Sequence, residues 1–273
     1  MNELYRAIFS RNLGLLSETE QEMIHNSTVA IAGMGGIGGL AAERLIRIGL
    51  GGLRITDPCD FEVSNLNRQF GASLDNLGRN KAEVILEQLE NINPQAKIEY
   101  SKTDIIAGDG IGQFISGCRL IIDAMDYGMF RESIRLQRAA REQGIFYLFS
   151  TALGFGAITV VFAPDGISLE EYNGLSKDVD INNPEQLSVP MESIIPIIPE
   201  YVKNVSILGD IYTGKVPVPS NSIGAGIAAI QSASEAVNII LGRDIPIAPQ
   251  YTYLDLVDRR MIVGYGKQPS GKF

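Results

Sequence analysis

Short apolar runs separated by amphipathic stretches set the rhythm of the first 150 residues. Thr28-Val29-Ala30-Ile31-Ala32 is small and β-branched throughout, the composition of a buried strand. Leu53–Thr56, Ile98–Tyr100, Leu120–Ile122 and Ile145–Phe149 repeat that signal. Between them the apolar positions fall at helical intervals. Gly39–Ile48 carries Leu40, Leu45, Ile46 and Ile48 among small residues, Asn80–Asn91 carries Ala82, Val84, Ile85 and Leu89 ahead of Pro94, and Phe130–Gln143 is a third helix. Strands alternating with helices predict an α/β, Rossmann-like doubly wound sheet that is mostly parallel. Two short helices precede it in residues 1–26, the second opened by Ser17 with Glu20 three residues on, a capping-box spacing.

The pattern changes after residue 150. Ala157–Phe162 is a β-rich run, and Tyr251–Leu256 with Met261–Val263 reads as a closing hairpin. Seven prolines between 164 and 219 break up any regular element, so this stretch is expected to be an irregular, mobile insertion that covers the sheet edge. A long helix over 223–241 opens on Gly224, Ala225, Gly226, Ala228 and Ala229 and stops at Gly242. No repeat or linker divides the chain, which is expected to form one domain over 1–273: N-terminal helices (1–26), a nucleotide-binding core (27–150) and a β-rich C-terminal extension (151–273).

Composition narrows the chemistry. The formal charge of −9 lacks the basic face that a nucleic-acid backbone requires, so no nucleic-acid partner is expected. Two cysteines, Cys59 and Cys118, and one histidine, His25, supply neither a disulfide framework nor a zinc site. No apolar run spans a bilayer and the N-terminus lacks the pattern of a signal peptide. The expectation is a cytoplasmic protein without membrane contact.

The first strand runs into Gly33-Met34-Gly35-Gly36-Ile37-Gly38. Gly33, Gly35 and Gly38 have the G-x-G-x-x-G spacing that lets backbone approach phosphates at a helix N-terminus. Asp57 ends the second strand nineteen residues beyond Gly38, where such folds place a carboxylate on ribose hydroxyls. Asp123-Ala124-Met125-Asp126 closes the fourth strand at the same carboxyl edge. An ordinary dinucleotide site accounts for the glycines and Asp57. It gives no role to Ser64-Asn65-Leu66-Asn67-Arg68-Gln69, nor to Lys81 thirteen residues after Arg68.

Taken in order, these segments resemble the ThiF/MoeB/HesA family, bacterial relatives of ubiquitin-activating enzymes that adenylate a carboxylate with ATP. The resemblance covers roughly residues 5–163 and the helix at 223–241. It implies that Gly36 lies against the nucleotide and that Arg11 reaches the triphosphate of a neighbouring subunit in a homodimer. The physical logic agrees. Attack on the α-phosphate builds charge on phosphoryl oxygens and on departing pyrophosphate, so cations must be in place beforehand. Asn65, Arg68 and Lys81 can form that clamp, Asp57 can hold the ribose, and Asp126 can ligate Mg²⁺, which takes one or two carboxylates and leaves the rest to phosphates and water.

Three departures stand out. The cysteine that takes the acyl group in many members is missing downstream of the nucleotide fold, the zinc cysteine pairs are missing so no zinc is expected, and Tyr127 follows Asp126 where relatives commonly carry asparagine. An acyl adenylate made here would be passed directly to a second substrate's amine or sulfur. The leading expectation is an ATP-dependent adenylyltransferase for a carboxylate, such as the C-terminus of a ubiquitin-like protein or peptide, without a thioester relay. The alternatives are an NAD(P)-dependent oxidoreductase and a non-catalytic, nucleotide-binding partner of an activating enzyme.

Overall fold

The structure, a computed structural model, describes residues 1–266 except 107, 188, 190–192, 194, 204–208, 212–214 and 217. One eight-stranded sheet organises it, in the order β3-β2-β1-β4-β5-β6-β7-β8. β1 (Thr28–Ala32), β2 (Gly52–Thr56), β3 (Lys97–Ser101), β4 (Leu120–Asp123) and β5 (Phe146–Leu153) are parallel. β6 (Gly156–Phe162), β7 (Gln250–Asp255) and β8 (Arg260–Tyr265) extend it antiparallel. The strand order reverses between β1 and β4, so the carboxyl ends of those two strands frame the crevice in which open α/β sheets bind ligands.

The helices follow from their sequences. α1 is Glu3–Ile8, and α2 (Glu18–His25) carries the complete capping box of Ser17 and Glu20. α3 (Gly38–Ile48) ends on Gly49 at φ +102°, a left-handed turn that glycine adopts without a steric penalty. α4 (Lys81–Ile92) is capped by the Asn80 side chain. α5 (Ile111–Ile115), α6 (Phe130–Glu142) and α7 (Leu169–Tyr172) follow. The last described helix, α8 (Ser222–Leu241), ends on Gly242 at φ +66°.

Two apolar layers sandwich the sheet. Val29, Ile31, Leu53, Ile55, Leu120 and Ile122 meet α3, α4 and α8 on one face, while Ala30, Ala32, Ile121 and Tyr147 meet α5 and α6 on the other. α8 is long and apolar enough to cross a membrane by length and composition. Here it is mostly buried against β5, β6 and α3.

Two regions differ from expectation. β5 runs on to Leu153 because it continues into a hairpin with β6 across Gly154, where φ is +61°. The proline-rich insertion, in its described parts, covers a face of the sheet and also reaches its β8 edge, where Glu200 pairs with Arg260. α5 and α6 lie over β1, β4 and β5. Ile167, Leu169, Tyr172, Leu175, Ile181 and Leu187 join the core beside them, with Tyr172 packed edge-on against Phe149 and Phe162. Fourteen of the 56 residues in 164–219, to which the expectation of mobility also applies, lie outside the described set.

Candidate active site

The glycine turn is tied down on both sides. Gly33, at φ +92°, donates its N–H to the Thr56 carbonyl, and a Cβ on it would lie 2.5 Å from the Ala124 carbonyl oxygen. A Cβ on Gly38 would lie 1.9 Å from the Gly33 carbonyl oxygen. Both positions therefore require glycine, which sets the turn between the ends of β2 and β4 and starts α3 there. Gly35 opens toward Gln69, with its nearest neighbour atom, Gln69 Nε2, 3.7 Å from where a Cβ would stand. Gly36 faces Ala225 of α8 and the stem of Arg68: a Cβ on it would lie 3.3 Å from the Ala225 Cβ and 3.4 Å from the Arg68 Cγ.

Asp57 is buried and accepts from two backbone amides, Met34 at 2.7 Å and Cys59 at 2.8 Å. It clamps the glycine turn to the end of β2. A carboxylate has about four acceptor sites, so ribose hydroxyls can still donate to it. Asn65 is buried too, but its side-chain oxygen accepts from Glu62 N–H and its amide lies against the Ser64 hydroxyl. In this structure it orders its own turn. Arg68 donates to the Ser64 carbonyl and the Asn67 side chain, while Asn67 reaches Ser220 ahead of α8. The Asn65–Arg68 turn is thereby joined to the N-terminal end of α8 beside the glycine turn.

A cleft of about 610 Å³ opens at the switch point, lined by Gly33, Gly35, Asp57, Cys59, Gln69, Lys81, Asp104, Met125, Asp126 and Met129, among others. It brings together the glycine turn, Asp57, Lys81 and Asp126, with Arg68 and Gly36 alongside. Lys81 forms no ion pair among the described residues and faces the cleft from the first turn of α4. Arg11 is elsewhere. It is exposed in a 3-10 turn at Ser10–Asn12, and neighbouring Asn12 bonds to the Ile48 carbonyl at the far end of α3. The eleven residues of α3 span about 16 Å at 1.5 Å each, so Arg11 lies outside the site of its own chain.

One lining residue was not among the candidates. Gln69 closes the Ser64–Gln69 segment, and its side-chain oxygen is buried with no hydrogen-bond partner among the described residues. Buried acceptors are nearly always satisfied, so the oxygen carries a desolvation cost, while the amide nitrogen borders Gly35. Its adjacency to Arg68 in sequence was the available signal.

Neither cysteine suits nucleophilic work. Burial raises the Cys59 thiol, and the Asp57 charge adds to that. Burial pushes Cys118 up to about 11. A thiol held protonated is a poor nucleophile.

A model of the ThiF family matches residues 9–265. Among curated relatives, the tRNA threonylcarbamoyladenosine dehydratase of Escherichia coli is 34% identical over 127 residues, 46% of this chain and 47% of that protein. Ubiquitin-like modifier-activating enzyme 5 of Caenorhabditis elegans is 32% identical over 118 residues, 43% of this chain and 27% of that protein. The chain thus spans about half the length of the relatives matched first, and less of the second kind. Among solved structures, E. coli MccB with ATP superposes with a TM-score of 0.72 at 16% identity, over 99% of this chain and 73% of that one. The E. coli dehydratase superposes at 0.64 with 22% identity, over 88% and 97%. These likenesses establish the shared fold.

Proposed function

The chain belongs to the ThiF family, and from that premise we propose that it is an ATP-dependent adenylyltransferase that activates a carboxylate. The carrying observation is the cleft at the β1/β4 switch point, where Asp57, Lys81, Asp126 and Gln69 converge on the glycine turn. In the reaction a carboxylate oxygen attacks the α-phosphorus of ATP. An O–P bond forms, the bond to the β-phosphate oxygen breaks, and pyrophosphate leaves with the electron pair. Asp57 accepts from ribose hydroxyls, the amides beyond Gly33 approach the phosphates, and Lys81 and Arg68 offset the charge that develops.

The donor set fits magnesium. Among the described residues no group of three His, Cys, Asp or Glu side chains is placed to hold a metal by itself. Asp126, exposed at the cleft, is a single carboxylate of the kind Mg²⁺ takes when phosphates complete its shell. When bound there, Mg²⁺ supplies charge neutralisation on the phosphate oxygens.

The carboxylate is the C-terminus of a ubiquitin-like protein or a peptide, a reading supported by the modifier-activating relative. The net charge of −9 weighs against a transfer RNA despite the dehydratase relative. With no cysteine in the sequence after Cys118, the acyl group passes to its acceptor without a thioester. The working unit is a homodimer in which Arg11 reaches the phosphates of the partner subunit.

The test is carboxylate-dependent ATP–pyrophosphate exchange across a panel of peptides and small ubiquitin-like proteins. Exchange is expected with the wild-type chain and is lost in Arg68→Ala and Asp126→Ala. Exchange that survives both changes overturns the site, and tight NADH binding without ATP binding returns the chain to the oxidoreductases.

A further inference from the structure

A second cavity of about 600 Å³ lies beside the nucleotide cleft and shares Met125, Asp126 and Met129 with it. The loop that carries Asp126 is thus the common wall of two chambers. The nucleotide cleft accounts for the first. The second has a different chemistry.

Its lining combines two carboxylates, Asp123 and Asp126, with the rings of Tyr127, Phe130 and Phe149, and among the described residues it includes no lysine, arginine or histidine. Asp123 is fixed in place. It accepts from the Met125 amide at 3.0 Å and from the hydroxyls of Tyr147 and Ser133, and it is buried at the base of the cavity. Tyr127 and Phe130 meet edge to face with centroids 5.7 Å apart. Acidic oxygens with aromatic faces and no cation repel an anionic ligand and suit an ammonium group on an apolar body. Anionic groups belong on the other side of the wall, where Lys81 stands.

We propose that this cavity binds the acceptor of the activated acyl group, and that the acceptor is a primary amine on a compact apolar or aromatic body. The inference rests on the adenylation reading and extends it to the second substrate. An amine held in this cavity lies across a shared wall from the nucleotide. The bound ammonium first gives one proton to water at the open mouth, and the freed nitrogen lone pair attacks the acyl carbon and forms a C–N bond. The C–O bond to the phosphate breaks, AMP departs with the electron pair, and the second proton shed by the nitrogen passes to water. The product is an amide. The missing thioester cysteine follows, because an acceptor bound beside the adenylate needs no relay.

The experiment uses the full chain saturated with ATP and three probes with one body: phenethylamine, 2-phenylethanol and 2-phenylethanesulfonate. Titration calorimetry is expected to rank the amine at least about tenfold tighter than the sulfonate, with the alcohol between. A crystal structure of the amine complex is expected to place the ring in this cavity. Thr151, half-buried at the cavity wall, supplies the variants. Thr151→Lys places a cation in the chamber and is expected to invert the head-group preference, while Thr151→Phe fills it and weakens all three probes. ATP binding by each variant reports that it has folded. Equal binding of amine and sulfonate, or an amine seated elsewhere, overturns the proposal while ATP binding stands. Failure to bind ATP at all overturns the adenylation reading instead.

Discussion

Gln69 carries a cost in the ligand-free protein. An unpaired buried acceptor loses its hydration without gaining a partner, a penalty on the order of 1–3 kcal/mol, and the Gln69 side-chain oxygen is in that position. Gln69→Met keeps the length and removes the oxygen. The variant is expected to raise the stability of the free protein by about 1 kcal/mol and, because Gln69 lines the nucleotide cleft, to weaken ATP binding measurably. Thermal unfolding with and without ATP reads both effects, and a loss of stability in the free variant sinks this account of the residue. Gly33 carries the opposite kind of constraint. At φ +92° with the Ala124 carbonyl in the way, Gly33→Ala combines backbone strain with a backbone clash, together at least about 2 kcal/mol. Urea denaturation is expected to show that loss, whereas Gly35→Ala, with ordinary van der Waals space, leaves folding largely intact and acts on ATP affinity.

Elements were legible where a local signal coincided with burial. β1 is apolar because both its faces are covered, α3 and α8 stop at glycines that take left-handed angles, and α2 begins at a capping box with both halves formed. The capping box also has a pH signature. The Ser17 backbone N–H, then Arg243 and the Ser17 hydroxyl, hold the Glu20 carboxyl down to about 2 from an ordinary 4.5. A depressed acid contributes stability above its ordinary pKa and loses it as the pH falls through the folded value. Glu20→Gln is therefore expected to be less stable than wild type at pH 6, with the gap closing between pH 4.5 and 2; a gap independent of pH removes the charge from the explanation. α7 was not legible, because what orders it is tertiary. Leu169 and Tyr172 are held by the aromatic surface of β5 and β6, and nothing in the proline spacing announces that surface. The site divides in the same way. The glycines, Asp57, Lys81 and Asp126 were visible because their spacing along the chain is fixed by the βαβ path. That Asn65 is spent on its own turn, and that the Gln69 oxygen is left unpaired, depends on rotamers that sequence does not encode locally.

At the scale of the whole molecule the puzzle is Arg11. Its turn is anchored to the far end of α3 through Asn12, and Tyr5 donates to the Gly49 carbonyl at the same end. No loop closure within the chain carries it past the length of that helix to the phosphates. If Arg11 acts, it acts on another copy, and the exposed Leu4, Leu13 and Leu15 around it are the kind of apolar surface that a two-fold contact covers. Complementation decides this directly. Arg11→Ala has an intact Asp126 but no arginine to lend, and Asp126→Ala lends its arginine but has a dead cleft. Each alone is expected to lack exchange activity. In a refolded one-to-one mixture about half the dimers are mixed, and each mixed dimer has one complete site, formed by the Asp126 of one copy and the Arg11 of the other. Recovered activity should approach about a quarter of wild type, the fraction of sites so completed. An arginine acting within its own chain gives no recovery above the two parents, and an arginine with no role leaves the Arg11→Ala parent fully active before any mixing.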